Sequence, residues 1–238
     1  MTGFTVLGAV GVTRNGVDVG LGSAPQRRLL GLLCSRANSV VAADRLAEQL
    51  GLTPGALRTS ISRLRAVVGT DVLRTLPPGY MLRTDGIDAQ HFEQMLADAA
   101  AATSASAAQH SLQAALRLWR GDAYAEFAHE PWATTEAARL ESLRAGATEE
   151  LCELALEAKQ WTNAIALISP LIATEPFSDR PRGQLMRALA GSGRRASALR
   201  AFHDYRRFLA EETGTEPSAE LVALDRLIAA DGALPIEV

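Results

Sequence analysis

The chain has 238 residues, of which 47% are hydrophobic and 21% charged, with a formal net charge of −3. That length favours two domains, and that composition excludes global disorder. Two cysteines, Cys34 and Cys152, exclude a disulfide framework, and no apolar run reaches the roughly 20 residues that crossing a bilayer requires.

The N-terminus lacks the basic-then-apolar pattern of a signal peptide, so the expected location is the cytoplasm, away from membranes. Charge is unevenly spread. Residues 1–86 hold 10 Arg against 5 Asp+Glu, whereas residues 87–238 hold 14 Lys+Arg against 22 Asp+Glu. A basic first third joined to an acidic remainder suits only the first third to nucleic acid.

Residues 4–20 read as short strands. Phe4 and Val6, then Val10 and Val12, alternate with small or polar residues, and Asn15-Gly16 is a hairpin signal ahead of Val17 and Val19. Ser23 can cap a helix with Pro25 in its first turn, running to about Arg36 on Leu29, Leu30, Leu32 and Leu33. Asn38 ends it, Val40-Val41 adds a short strand, and Asp44 to Leu50 forms a second helix with Leu46, Ala47 and Leu50 inward. Thr53 is the expected N-cap of a third helix, with Pro54 at its first position.

In that third helix Leu57, Ile61, Leu64 and Val68 make one apolar face. Thr59, Ser62, Arg63 and Ala66 point the other way, with Arg58 and Arg65 on the flank. This outer face is small, hydroxylated and cationic, and it has no carboxylate. Arg can pair with guanine or phosphate in bidentate fashion, and Thr and Ser can reach bases or backbone oxygens. The plainer alternative is a solvated helix face carrying a few arginines. Val72-Leu73-Arg74 and Tyr80-Met81-Leu82-Arg83 then read as two strands closed by Pro77-Pro78-Gly79. A helix leading into a small cationic hairpin is the outline of a winged helix, in which the helix occupies the major groove and the wing touches the backbone.

Asp85-Gly86-Ile87-Asp88 reads as a turn and domain junction, with Asp88 capping a helix from Ala89. The pattern is helical from there on. Phe92, Met95, Leu96 and Ala99 form one stripe, and Leu112, Ala115, Leu116 and Trp119 the next. A loop follows from Gly121 to Pro131, then a long helix over about 133–159. The remainder carries a faint repeat of 34 residues, relating Trp161 to Arg195 and Ala164 to Ala198. That is the tetratricopeptide length. Trp119, Trp132 and Trp161, with Tyr124 and Phe127, either line a groove in this half or fill its core, and the core is the more frequent place for large aromatics.

Catalytic and metal chemistry find no support. Gly191-Ser192-Gly193-Arg194-Arg195 lacks the Lys and spacing of a phosphate loop. His91, His110, His129 and His203 are scattered without metal-ligand spacing and are expected on helix surfaces or between helices. Glu149-Glu150 and Glu211-Glu212 read as solvated faces, Cys34 and Cys152 as core residues, and no nucleophile motif or cofactor site is present.

Two sets of residues resemble a known family. Leu57-x-Thr59-x-Ile61-Ser62-Arg63-Leu64-Arg65 followed by Pro77-Pro78-Gly79-Tyr80, with Leu21-Gly22, Gln26-Arg27 and Asp44-Arg45-Leu46, is similar to the OmpR-type winged helix of the Streptomyces antibiotic regulatory protein family. Glu130-Pro131-Trp132, Ala138-Arg139-Leu140, Leu185-Met186-x-Ala188-Leu189, Gly193-Arg194, Ala198-Leu199 and Glu216-Pro217-Ser218 resemble the bacterial transcriptional activator domain that follows it. The resemblance implies a mainly α chain with small β elements. A winged helix-turn-helix over 1–86 would precede a tetratricopeptide-like, all-α domain over 87–238. It further implies a sequence-specific DNA-binding activator and not an enzyme. Thr59, Ser62, Arg63 and Arg65 would lie in or beside the major groove, and Arg74 and Tyr80 would sit on the wing. Beyond the resemblance, side-chain chemistry suits Arg63 to a base and Arg58, Arg65 and Arg74 to phosphates. Implied partners are double-stranded DNA, RNA polymerase, and further protomers on directly repeated sites. One departure is visible. The family usually carries a Trp-Gly and a Pro-rich loop between its second and third helices, a loop that in OmpR-type proteins often approaches RNA polymerase. Here Leu50-Gly51-Leu52-Thr53-Pro54 is several residues shorter and has no Trp. The competing reading is an interaction adaptor, with the helical repeats as the active part and the winged helix as a docking module.

Overall fold

The structure, a computed structural model, describes residues 2–230. It divides into two compact units. One takes the described residues up to Ala102 together with Gln113–Leu143, and the other takes Thr103–Leu112 with the described residues from Arg144 on. Compactness thus divides the chain differently from the 1–86 and 87–238 expected from sequence.

The first unit opens with strands β1 (Thr2–Thr5), β2 (Gly11–Arg14) and β3 (Val17–Val19), an antiparallel sheet in that order. Asn15 and Gly16 turn β2 into β3 with φ of 52° and 79°, the two positive values an Asn-Gly hairpin turn needs. Helix α1 (Ala24–Cys34) follows, then β4 (Val41–Ala42), α2 (Ala43–Leu50), α3 (Pro54–Val68), β5 (Leu73–Leu76) and β6 (Gly79–Leu82). The last strands form a second antiparallel sheet in the order β4-β6-β5. Leu29, Leu30, Leu32 and Leu33 of α1, Leu46 and Leu50 of α2, and Leu57, Ile61, Leu64 and Val68 of α3 are all buried, so the periodic faces read from sequence are the packed ones. Ser23 sits at the N-cap of α1 but makes no side-chain cap bond. Thr53 does cap α3, its hydroxyl accepting from Ala56 N at 3.3 Å, with Pro54 in the first turn.

The junction after β6 is built into this unit. Phe4 N donates to Gly86 O at 2.8 Å, and Phe4 bridges Ile87 in parallel. Helix α4 (Asp88–Ala100) begins there, and its N-cap is Ile87. Asp88 does not act as the expected cap. Its side chain is buried and accepts from Val6 N at 2.8 Å and Leu7 N at 3.3 Å, satisfying amides just past the end of β1. The loop at 120–125 returns to the same backbone: Arg120 N donates to Leu7 O, Tyr124 N to Val6 O and Ala125 N to Gly8 O. Phe92 meets Trp119 edge-on at 5.4 Å, and Tyr124 meets Trp132 likewise at 6.0 Å. Trp132 also packs so close to α1 that a Cβ at Gly31 would lie 2.9 Å from its ring. Trp119, Tyr124, Phe127 and Trp132 are therefore core, the more frequent of the two places considered.

Burial raises the Asp88 carboxyl above its ordinary value, against the opposing pull of the Val6, Leu7 and Ala89 amides. The folded chain then holds this proton longer than the unfolded chain. As pH rises from the unfolded to the folded pKa, this group's contribution to stability falls. The Val6 and Leu7 amide resonances are expected to titrate together, with a midpoint above the usual aspartate range, and Asp88→Asn to abolish that shared titration. Independent midpoints for the two amides would contradict the shared carboxylate.

Helices α5 (Ala105–Leu116) and α6 (Pro131–Glu157) contribute residues to both units, and α7 (Trp161–Thr174), α8 (Asp179–Gly191), α9 (Arg195–Glu212) and α10 (Ala219–Ala229) complete the second. The repeat read from sequence has a backbone counterpart. Lys159 and Gly193 both take positive φ, 56° and 79°. Gln160 N donates to Ala155 O and Arg194 N to Leu189 O, each at 2.8 Å, while Lys159 N donates to Leu156 O and Gly193 N to Ala190 O. Each helix thus ends in the same left-handed cap, and the next begins at Trp161 and Arg195. Ala164 and Ala198, three residues into those helices, are both fully buried. Small residues there let the paired helices approach. Trp161 is half-buried, its ring against the backbone of Gly191.

Cys34 and Cys152 are buried free thiols, as expected; burial pushes both up, Cys152 to about 12. The four histidines lie exposed. Glu149 differs from its expected solvated place: its side chain is only 12% exposed, burial raises its carboxyl, and Arg180 covers it at 3.2 Å. Amphipathic spacing alone cannot distinguish a helix face open to water from one covered by a later helix. Gly146, mid-α6 and exposed, has open space where a Cβ would go. Gly146→Ala should therefore stabilise the protein by about 1 kcal/mol, read as a higher urea midpoint.

Candidate nucleic-acid interface

Helix α3 presents the two faces its sequence predicts. Arg58, Thr59, Ser62, Arg63 and Ala66 are exposed, opposite the buried Leu57, Ile61, Leu64 and Val68. Thr59 Oγ1 donates to Gly55 O at 3.1 Å, leaving its oxygen lone pairs available. The guanidiniums of Arg58 and Arg63 make no hydrogen bond or ion pair among the described residues. A guanidinium without an internal partner keeps all five donors for an external one.

Arg65 and Arg74 are placed differently. Arg65 is half-buried and bridges α3 to the hairpin, Nε donating to Leu73 O at 2.9 Å and Nη2 to Thr75 Oγ1 at 2.8 Å. Arg74 is half-buried on β5, with Nε on Asp71 O at 3.0 Å. Tyr80, half-buried on β6, lies opposite Val41 of β4 and Thr75 of β5. The structure therefore brings Arg65, Arg74 and Tyr80 together around the hairpin, and leaves Arg58, Thr59, Ser62 and Arg63 on the open side of α3.

The remaining arginines of the first 86 residues sort by their partners. Arg14 donates to Val67 O near the end of α3, at 2.7 Å. Arg27 pairs with Glu126 at 2.9 Å, and Arg28 with Glu130 at 2.7 Å. Arg28 also donates to Leu50 O and Gln49 O, closing the end of α2. These arginines hold the fold. Arg36, Arg45 and Arg83 are exposed with no partner among the described residues. Arg36 and Arg45 line a concavity of about 300 Å³ with Ser39 and Gln49. Sequence reasoning assigned none of the three to the interface, although Arg36, like Arg58 and Arg63, has no acidic residue within four positions on either side. That local absence of a carboxylate was the available signal.

The connection between α2 and α3 is Gly51, Leu52 and Thr53 only. Gly51 takes φ 64° and ψ 36°, and Leu52 N donates to Ala47 O at 2.8 Å. A turn this short, with its backbone groups returned to α2, projects no loop. It fixes α2 against α3 as a helix-turn-helix pair.

Comparison with known proteins bears on the same regions. The family model described as the bacterial transcriptional activator domain matches residues 87–229. The chain is 36% identical to the regulatory protein AfsR of Streptomyces griseus over 96% of its own length but only 24% of that relative's. It is 32% identical to the regulatory protein DnrI of Streptomyces peucetius, covering 94% of this chain and 91% of the other. Among solved structures, Mycobacterium tuberculosis EmbR in complex with a low affinity phosphopeptide superposes with a TM-score of 0.88 at 27% identity, over 99% of this chain and 66% of that one. The chain thus spans about a quarter of the length of the AfsR relatives it matches.

Proposed function

The chain belongs to the Streptomyces antibiotic regulatory protein family of transcriptional regulators, and on that premise we propose that it is a sequence-specific DNA-binding activator acting in the cytoplasm. The strands, three helices and hairpin of residues 2–82 serve as a winged helix-turn-helix. Helix α3 enters the major groove, and the hairpin lies against the adjoining backbone. Arg63 contacts a base. Arg58, Arg74 and the remaining donors of Arg65 hold phosphates, Thr59 and Ser62 assist, and Tyr80 supports the wing. The single observation that carries this reading is the carboxylate-free, solvent-open face of α3 with two uncommitted guanidiniums.

The helical half from α4 on is read as tetratricopeptide-like, on the 34-residue recurrence of its caps and buried alanines. It mediates contact with RNA polymerase and self-association of protomers on directly repeated sites. The three-residue α2–α3 turn favours the helical half over that turn as the polymerase contact. We extend the reading, by analogy with the family as a whole and not with any one relative, to target genes of secondary metabolism. The work of the chain is binding, not catalysis, and it calls for no cofactor.

Footprinting of the purified protein on genomic DNA tests this reading. The expected result is protection of two or more tandem sites of like sequence. An adaptor would instead give no protein–DNA complex even at low salt, where phosphate attraction is strongest.

A further inference from the structure

The second unit holds a cavity of about 320 Å³ between α6, α8 and α10. Its floor is apolar: Gly183 carries no side chain there, and Leu221 and Leu224 lie 3.4 and 3.8 Å from where a Cβ would stand. Gln184, only 3% exposed, lines the wall. Its Nε2 donates to Glu149 O at 2.8 Å and Glu153 Oε2 at 3.2 Å. Two acceptors on one side fix the orientation of the amide, because only the NH2 group can serve both. Oε1 is therefore turned away from them, and it is a buried acceptor without a hydrogen-bond partner among the described residues. Such an orphaned group costs free energy unless something supplies a donor.

The charges around the cavity say what kind of donor. Arg187 is committed to Glu153 at 2.7 Å and Arg180 to Glu149 at 3.2 Å. Two lining carboxylates have no cationic partner among the described residues, Asp179 and Glu220. Asp179 accepts from the Tyr205 hydroxyl at 2.6 Å and Ser218 N at 2.7 Å. Burial pushes its carboxyl up, but these bonds outweigh that and hold it below its ordinary value, so it stays charged. Glu220 is exposed in the first turn of α10. An apolar floor, a waiting acceptor and two carboxylates without a cationic side chain beside them among the described residues favour a cation over an anion.

We propose that this cavity binds a small organic cation, an amidinium or ammonium on an apolar body, whose N–H donates to Gln184 Oε1 while its body rests on Leu221 and Leu224. The volume lies at the lower end of small-molecule sites, which span roughly 300–1,000 Å³. The inference is independent of DNA binding, since every residue it uses lies in the second unit.

Benzamidine and benzoate, alike in shape and opposite in charge, are the probes, titrated into the full chain and followed by amide NMR and calorimetry. Saturable benzamidine binding is expected, with shifts centred on α8 and α10, and benzoate is expected not to bind. Glu220→Lys, a surface change, should weaken benzamidine at least fivefold. Gln184→Met should weaken it about tenfold, the loss of one hydrogen bond to a charged group. Leu224→Trp, which fills the cavity, should abolish binding with the helical spectrum intact and so covers the case in which Gln184→Met unfolds. Equal binding of benzoate, shifts centred elsewhere, no saturable binding, or unchanged affinity in both Glu220→Lys and Leu224→Trp would overturn the proposal.

Discussion

Arg63→Ala is expected to remove about 1–3 kcal/mol of discrimination at one base pair of the site while leaving affinity for unrelated DNA nearly unchanged. The side chain is exposed in the middle of α3 and has no partner among the described residues, so its removal breaks nothing inside the protein. Alanine is also the better helix former, and stability should hold or rise by a few tenths of a kcal/mol. Arg74→Ala should behave differently. A phosphate contact carries no base identity, so affinity should fall alike for all sequences and the slope against salt should flatten by about one counterion. Arg65→Ala should weaken binding and also loosen the hairpin, because Arg65 holds Leu73 O and Thr75 Oγ1. Binding constants on cognate and scrambled duplexes, over a range of salt, separate the three. If Arg63→Ala weakened every duplex equally, Arg63 would be a phosphate contact, and the base-reading position would have to be sought elsewhere on α3.

These three arginines also show where the sequence stops being readable. Their spacing places all of them off the buried face of α3 and the hairpin, and none is in the core. What spacing could not supply is the partner of each. Spacing sets Arg63 opposite the Leu57–Ile61–Leu64–Val68 stripe and Arg65 on its flank, beside Arg58, but only the return of β5 beneath Arg65 gives that guanidinium its partners. The same limit appears at Arg27 and Arg28, whose carboxylates lie about a hundred positions away at Glu126 and Glu130. Local signals did better. Asn15-Gly16 and the Thr53 cap each depend on a few neighbouring residues, and each has its counterpart in the backbone. Asp88 departs from its local signal for the opposite reason. An acidic residue at a helix start satisfies a local rule, but the amides of Val6 and Leu7, more than eighty residues earlier, take its carboxylate. Elements follow from near neighbours in this chain, and the commitment of each polar side chain follows from contacts that tertiary folding creates.

Gly79→Ala should destabilise the protein by about 3 kcal/mol, the upper end of the overpacking range, and should abolish specific DNA binding with it. Gly79 opens β6 opposite Ala42, and a Cβ there would stand 1.8 Å from Val41 O and 2.8 Å from Ala42 Cα. Both are backbone atoms, so no rotamer can relieve the clash, and β4 and β6 must separate. Strand β4 is two residues long and passes into α2 at Ala43 with no intervening loop. Displacing it therefore drags the start of α2, whose Leu46 and Leu50 are buried beside α3. The hairpin and α2, which both touch α3, would shift together, and the groove-facing side chains would lose their common frame. A urea series on Gly79→Ala, beside Gly146→Ala where nothing is within reach of the new methyl, isolates the steric effect from the general glycine-to-alanine gain. Should Gly79→Ala keep the parent's midpoint and its footprint, β4 would not lie against β6 as described, and the second sheet could not be the support on which α3 is held.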